Sequence, residues 1–576
     1  MLDMERSPGD TVGVGRAIVD AMVAEGVRTV FGLPGGHVIA IYDALYDTPS
    51  IRHVLVRHEQ VAASMASAYA QLTGEPGVCL VTAGPGCTNL LTGIAEAYVG
   101  CLPIVVIAGR GSTATVHRGA SQEIPTDRIF APVTKWSVRV DRPDLVLEVL
   151  HQAFATARAG RPGPVLVDIP RDIVDAEIAS AAYVPSGAPA RHAADEADVA
   201  AAAAALAAAE RPLLIAGGGT VMSGAFEELR TLAEQLAGPV LTSLSGRGSI
   251  PDDHPLSAGG LGAHRSRLSK RLLAAADVVL GLGFRFEEME TNWRPGAVPS
   301  ADATYIQVDI EPREIGRGVP AQLGLVGDVR TVLTQLAASL PPGHDFASHP
   351  RTHEIAAELA EIDDELDTIA AGEERPIHPV RVIRAIREAF PRETTVAIDV
   401  GAITQHIAGG MPFFRVYEPR SLVVPSSFYG MGFASAGLPA ARLVHPDRPA
   451  VGFVGDGSFQ MVLSVLPMAA EEKLPVTWCI FDDAALGSIR DIQEYRLGER
   501  YLATDFTVQP DFAAIAEACG CHGERVEDPG EVDAALARAL AANAAGRPAV
   551  IDFVVARERL LQTWEHFGMT PVERVT

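Results

Sequence analysis

The stretch Gly452 to Arg490, GFVGDGSFQMVLSVLPMAAEEKLPVTWCIFDDAALGSIR, constrains the fold of this chain more than any other, because its spacing puts two acidic residues at the ends of neighbouring parallel strands. Ala450 to Val454 is a short apolar run that stops at Gly455-Asp456-Gly457-Ser458. Phe459 to Glu472 carries apolar residues at helical spacing, and a second apolar run, Pro475 to Phe481, stops at Asp482-Asp483. A strand, a helix and a strand of these lengths need a crossover, and a crossover requires parallel strands. Asp456 and Asp483 then both emerge at carboxyl ends, where open α/β sheets bind ligands. Two carboxylates, glycine amides and a helix start in one place suit a hard cation that holds a diphosphate. Taken alone, a Gly-Asp-Gly is a tight turn in which Asp caps a helix.

The rest of the chain repeats the same alternation. Gly15 to Glu25 reads as a helix, Thr29 to Phe31 as a strand, then come the loop Gly32-Leu-Pro-Gly-Gly-His37 and the helix Val38 to Leu45. The strand Arg52 to Arg57 ends at His58-Glu59, Gln60 to Leu72 is helical, and Gly77 to Thr82 leads into Ala83-Gly-Pro-Gly-Cys-Thr-Asn89. Strands follow at Pro103 to Ala108 and Pro164 to Asp168. This is the pattern of a doubly wound parallel sheet. The polar, Pro- and Ala-rich segment Tyr183 to Asp198 reads as a linker, and a second linker lies around Pro341 to Pro350. The predicted fold is α/β, with three doubly wound parallel-sheet domains at residues 10–183, 199–342 and 375–560, and a C-terminal tail at 561–576.

A formal charge of −25 argues against a nucleic-acid partner, which needs a basic face. The six cysteines lie mostly inside apolar runs with no repeated metal spacing, so they read as reduced thiols of a cytoplasmic protein. The first ten residues contain no apolar signal-peptide core, and no run reaches transmembrane length, so no membrane contact is expected.

GDGS followed by a polar pair that closes an apolar strand resembles the signature of thiamine diphosphate (ThDP) enzymes. FGLPGGH, RHEQVAASMASAYAQLTG, GVCLVTAGPGCTNLLTGIAEAY and PIVVIAGR in the first unit, with GGG, GFRFEE, VDIEP and VGD in the middle one, extend the resemblance over nearly the whole chain, to acetolactate synthase and its relatives. The resemblance implies that the first domain binds the cofactor's pyrimidine and the last its diphosphate and Mg2+. Asp456, Asp483 and the Ala485 backbone match the metal ligands. Asp482-Asp483 departs from the usual Asn-Asn, though Asp is also a good oxygen ligand for magnesium. Val400, Gly401, Tyr429, Gly457, Ser458, Leu486 and Gly487 match the remaining cofactor contacts, and Met431 matches the bulky residue that bends the cofactor. Glu59 matches the glutamate that protonates or hydrogen-bonds the pyrimidine ring.

On the reaction the resemblance splits. Gly487-Ser-Ile-Arg-Asp-Ile492-Gln493 has Ile492 where synthases carry a Trp, and Val400-Gly401-Ala402-Ile403 departs from the synthase VGQH. His37 and the stretches at Ser121-Gln122 and Pro132 to Trp136 look like those of benzaldehyde lyase. A histidine there can take the hydroxyl proton of a 2-hydroxy compound as a carbon–carbon bond breaks. Gln122 is expected to bond the substrate, and Glu494 or Arg490 to face the same cavity. The expected activity is a ThDP- and Mg2+-dependent carbon–carbon lyase or carboligase acting on small 2-hydroxyacyl or 2-oxoacyl substrates, possible CoA thioesters included. Three alternatives stand: a pyruvate-decarboxylating carboligase of the acetolactate synthase type, a 2-hydroxyacyl-CoA lyase or oxalyl-CoA decarboxylase relative, and an inactive homologue serving as a subunit. The resemblance further implies a homodimer or homotetramer. In the middle unit Gly217, Gly218, Gly219, Arg285, Asp309 and Asp328 resemble a site for FAD or ADP.

Overall fold

The computed structural model describes residues 11–261, 266–294, 296–343, 345–401 and 413–557. The predicted tail at 561–576, together with Ala402 and Ile403, lies outside the described residues. The chain divides after Ala190 into two compact units.

The first unit holds a six-stranded parallel sheet in the order Arg52–Leu55, Thr29–Leu33, Gly77–Val81, Ile104–Arg110, Pro164–Pro170, Trp136–Arg139. Gly77–Val81, Ile104–Val106 and Pro164–Pro170 are buried along their length, as strands covered on both faces must be, which explains why they read as apolar runs without alternation. The order reverses between Thr29–Leu33 and Gly77–Val81. Loops leaving their carboxyl ends diverge there and open a crevice.

The second unit holds two more six-stranded parallel sheets. One runs Ser257–Gly260, Val240–Thr242, Pro212–Ala216, Val278–Leu282, Thr304–Asp309, Leu323–Val326. Its central strand shows the double winding directly. Leu214 and Ala216 enter one hydrophobic cluster, while Leu213 and Ile215 enter another on the opposite face. The other sheet runs Leu422–Val423, Thr395–Ile398, Ala450–Gly455, Thr477–Asp482, Ala549–Val554, His522–Val526, and its order reverses between Thr395–Ile398 and Ala450–Gly455. Arg247, almost wholly buried, clamps these two sheets: Nη2 donates to Asp252 at 2.9 Å and to the Phe414 carbonyl, and Asp252 accepts the Val416 amide at 2.7 Å.

One expected element is divided. The helix read from Phe459 to Glu472 is two helices, Asp456–Gln460 and Val465–Glu471. Pro467 explains the break, because its ring would clash with the carbonyl four residues earlier in a continuous helix and is tolerated only in a first turn.

Candidate active site

The reversal in the C-terminal sheet carries a cavity of about 150 Å³. Strand Ala450–Gly455 delivers Asp456, Gly457 and Ser458 to one wall. Strand Thr477–Asp482 delivers Asp483, Ala485, Leu486 and Gly487 to a second, and the loop after Thr395–Ile398 brings Val400 and Gly401, with Met431 beside them. These are the residues that the sequence singled out for the cofactor and its metal. Tyr429 is not in the wall. It sits two residues before Met431 with φ +55°, in the left-handed region.

The two neighbouring aspartates have different jobs. Asp482 is occupied: Oδ1 accepts the Ala484 amide at 3.1 Å and Oδ2 pairs with Arg525 at 3.1 Å. Asp483 faces the cavity. Ala484 holds φ +53°, a costly conformation for a residue with a Cβ. It is braced by segment 504–506, where Leu486 N donates to Thr504 O at 2.8 Å and Phe506 N to Ala484 O at 2.9 Å. Burial raises the Asp456 carboxyl to about 7, helped by the charge of Asp483. Burial likewise raises Asp483 to about 6, against the pull of Arg557. Carboxylates that are costly to charge without a cation are oxygen donors of the kind magnesium takes, and Ala485 in the same wall also carries a backbone carbonyl. Among the described residues no three His, Cys, Asp or Glu side chains cluster as a metal site, so the remaining ligands would come from backbone and diphosphate oxygens. The helix Gly487–Leu497 starts at the cavity, and its cap residue Leu486 offers its first amides no side-chain acceptor. Those amides suit an anion. On these observations the donor set fits ThDP with magnesium.

Sequence reasoning missed three residues here. Arg557, three residues beyond strand Ala549–Val554, lines the cavity and donates to the Asp483 carbonyl at 2.8 Å. Its place just past a strand on the binding edge was the signal that could have found it. Asp399 is buried and accepts the amides of Val400 at 2.8 Å, Gly432 at 2.9 Å and Ser435 at 2.8 Å, tying the Gly401 loop to the Met431 loop. Gln509, from an aperiodic loop, donates to Asp456 and Asp482.

Glu494 and Arg490 belong to a cluster of their own. Glu494 accepts from Tyr501 at 2.7 Å, and Arg490 pairs with Asp505 at 2.9 Å and lies over the Tyr501 ring at 3.8 Å. Neither lines the cavity; Ile489 from the same helix does. Ile492 is half-buried on that helix.

In the first unit the reversal in the sheet gathers the other candidates. Glu59 opens the helix Glu59–Thr73, is 5% exposed, and accepts from Asn89 Nδ2 at 2.9 Å through Oε2. A Cβ placed on Gly86 would lie 3.6 Å from Glu59 Oε1 and 3.0 Å from Thr82 Cγ2. Thr82 in turn meets His37 Nδ1 at 3.2 Å. Burial, with Arg171 nearby, lowers the His37 pKa and so favours the neutral ring. Gln122 is exposed with φ +62°, its backbone seated over Gly84, where a Cβ would come within 2.8 Å.

The nucleotide expectation in the middle sheet finds its residues in other employment. Gly217 and Gly219 flank the reversal point, yet a Cβ on Gly217 would sit 2.2 Å from the Gly283 carbonyl oxygen and one on Gly219 2.7 Å from Gly283 Cα. A Cβ on Gly218 would lie 3.2 Å from Ser245 Cβ. The glycines admit a neighbouring backbone. Arg285 pairs with Glu287 at 2.7 Å, and Asp309 accepts the Glu311 amide at 2.9 Å. Asp328 caps the helix Val329–Ser339 and pairs with Arg191 at 2.9 Å. Nothing in this arrangement supports FAD or ADP. Gly217→Ala is expected to destabilise the protein by about 1–3 kcal/mol through overpacking against backbone; a thermal or urea denaturation midpoint equal to that of the parent would show that the contact is not tight.

Residues 12–129 match the thiamine pyrophosphate enzyme N-terminal TPP binding domain, residues 199–336 the thiamine pyrophosphate enzyme central domain, and residues 402–553 the thiamine pyrophosphate enzyme C-terminal TPP binding domain. The chain is 34% identical over 561 residues to a probable acetolactate synthase large subunit of Methanocaldococcus jannaschii, covering 94% of this chain and 91% of that protein. It is 34% identical over 565 residues to the acetolactate synthase large subunit of Corynebacterium glutamicum, covering 95% and 87%, and 34% identical over 543 residues to the acetolactate synthase isozyme 3 large subunit of Escherichia coli, covering 91% of each. Among the described residues no helix is long and apolar enough to cross a membrane. With three matching domains in order and relatives aligned over nearly their whole length, the chain belongs to the thiamine diphosphate-dependent enzymes of the acetolactate synthase-like superfamily.

Proposed function

We propose that this protein is a ThDP- and Mg2+-dependent carboligase of the acetolactate synthase type. It would break the C1–C2 bond of a 2-oxo acid, releasing CO2 and leaving the electron pair on C2, then join C2 to the carbonyl carbon of an acceptor whose oxygen takes a proton. The observation that carries this reading is the cavity walled by Asp456, Gly457, Asp483 and Ala485 at the reversal of the sheet. The named relatives favour this alternative over the lyase expected from His37 and Ile492.

When bound, ThDP supplies the electron sink. The rest falls to the chain. Asp456, Asp483 and the Ala485 carbonyl would hold magnesium, the Gly487 amide at the helix start the diphosphate, and Arg557 would offset the charge of Asp483. Asn89 fixes Glu59 Oε2 as an acceptor, so Oε1 beside Gly86 is the atom that can carry and pass a proton. The assembly proposed with this activity is a homodimer or homotetramer.

A second reading, cleavage of a 2-hydroxyacyl compound, rests on one observation: His37 is half-buried with Nδ1 3.2 Å from Thr82 Oγ1, and in the tautomer in which Nδ1 donates to that oxygen Nε2 would be the base for a substrate hydroxyl. Incubating the ThDP- and Mg2+-loaded protein with pyruvate, with pyruvate plus 2-oxobutyrate, and with a 2-hydroxyacyl-CoA separates the two. CO2 and a 2-hydroxy-3-oxo acid are expected. Cleavage of the hydroxyacyl compound without CO2, slowed about a hundredfold by His37→Ala at unchanged ThDP affinity, would replace the first reading with the second.

A further inference from the structure

We propose that Gln509 is a positioning residue for the cation site, holding Asp456 in its ligating pose by donating one amide proton to Asp456 and the other to Asp482. The inference rests on the cofactor reading above and assigns a role to a residue outside the cavity's walls. Gln509 Nε2 lies 2.5 Å from Asp456 Oδ2 and 2.6 Å from Asp482 Oδ1. Both carboxylates are buried, at 1% and 3% exposure. Only the nitrogen end of the amide can sit there, since turning it would set an acceptor oxygen against two carboxylates. The oxygen end, Oε1, is buried and hydrogen-bonds to none of the described residues. The orientation follows from the two carboxylate oxygens, both of which accept from Nε2.

The same amide joins the two arms of the site. Asp456 directly follows one strand, and its Oδ1 is fixed separately by the Gly457 amide at 2.8 Å. Asp482 ends the next strand, and its Oδ1 also accepts the amide of Ala484, which stands between the two proposed ligands Asp483 and Ala485. Behind Asp482, Arg525 Nη1 bridges Asp482 Oδ2 at 3.1 Å and Asp552 Oδ2 at 2.6 Å, so Asp482 is itself an anchored acceptor. Gln509 thus spans from an anchored carboxylate to a ligating one and sets the separation of the arms before a cation arrives. Without its two protons, Asp456 and Asp482 would face each other with no donor between them, and their repulsion would pull the ligand set out of register.

Gln509→Leu keeps the volume and removes both donors; Gln509→Asn keeps the amide but is one methylene too short to reach both carboxylates. The test is Mn2+ uptake in place of Mg2+ at saturating ThDP, read from the electron paramagnetic resonance signal of the free ion, alongside the unfolding midpoint of the cofactor-free protein. Loss of an outer partner typically weakens metal affinity about 10- to 100-fold, and a loss in that range is expected for Gln509→Leu and a smaller one for Gln509→Asn, while the midpoint of Gln509→Leu falls because two buried carboxylates lose their shared donor. Affinities within about twofold of the parent in both variants overturn the proposal, whether or not the midpoint falls. A parent that takes up no Mn2+ with ThDP overturns the cofactor reading and this inference with it, whereas a binding parent with equally binding variants overturns this inference alone.

Discussion

Glu59→Gln is expected to fold as the parent does, to bind ThDP and Mg2+ with similar affinity, and to lose turnover by about 10²- to 10⁴-fold, the usual worth of a positioned acid–base group. The two side chains have nearly the same shape, and burial at 5% exposure is easier for the amide than for a charge. The hydrogen bond from Asn89 fixes the outcome at atomic level. Asn89 Nδ2 donates to Oε2, so a glutamine must present its oxygen there and its NH2 group at the Oε1 position beside Gly86. An amide nitrogen at that point donates a hydrogen bond but gives up no proton at neutral pH. Steady-state turnover at saturating cofactor, with circular dichroism and calorimetric ThDP affinity as controls, reads the effect. More than about a tenth of parental activity would remove Glu59 from the proton path, since a group of this kind is worth at least that much.

The sequence made the two outer sheets legible for a physical reason. Their central strands are buried on both faces, so they stand out as apolar runs, and several stop at glycine or acidic residues because the chain must turn and meet solvent or ligand at the carboxyl edge. The middle sheet shows where that reasoning is ambiguous. Gly217, Gly218 and Gly219 follow a strand at a reversal point, just as a nucleotide loop would. A glycine that lets a phosphate approach and one that admits the Gly283 backbone meet the same requirement, the absence of a Cβ, and only coordinates distinguish them. Asp328 raises the same ambiguity, for a helix cap and a ribose ligand are both served by a carboxylate at a strand end. Gln509 left no trace at all. It lies in a loop with no periodicity, and its importance comes from two aspartates 53 and 27 residues away. Asp482 and Asp483 were separated only in part: the pair was recognised, but that Asp482 turns back to Arg525 while Asp483 faces the cavity depends on Arg525 lying behind it.

Asp456→Ala should remove cofactor binding while leaving the cofactor-free protein about as stable as before, and the two halves of that expectation have separate causes. The carboxylate is 1% exposed, and burial together with Asp483 makes its charge costly in the absence of a cation. Deleting it relieves that cost, which offsets the hydrogen bonds it loses to Gly457 and Gln509. Gln509 keeps Asp482 as an acceptor, so its amide is not orphaned. With ThDP and Mg2+ present the balance reverses. A ligand at about 100 times its dissociation constant stabilises a protein by about 2.7 kcal/mol, and a hundredfold weaker site would retain only about 0.4 kcal/mol of that. The parent should therefore melt clearly later when cofactor and metal are added, and the variant by only a small fraction of that shift. Calorimetric titration should show binding to the variant at least about a hundredfold weaker than to the parent. Equal affinities in parent and variant would take Asp456 out of the metal site, and with it the reading of the cavity on which the proposed carboligase depends.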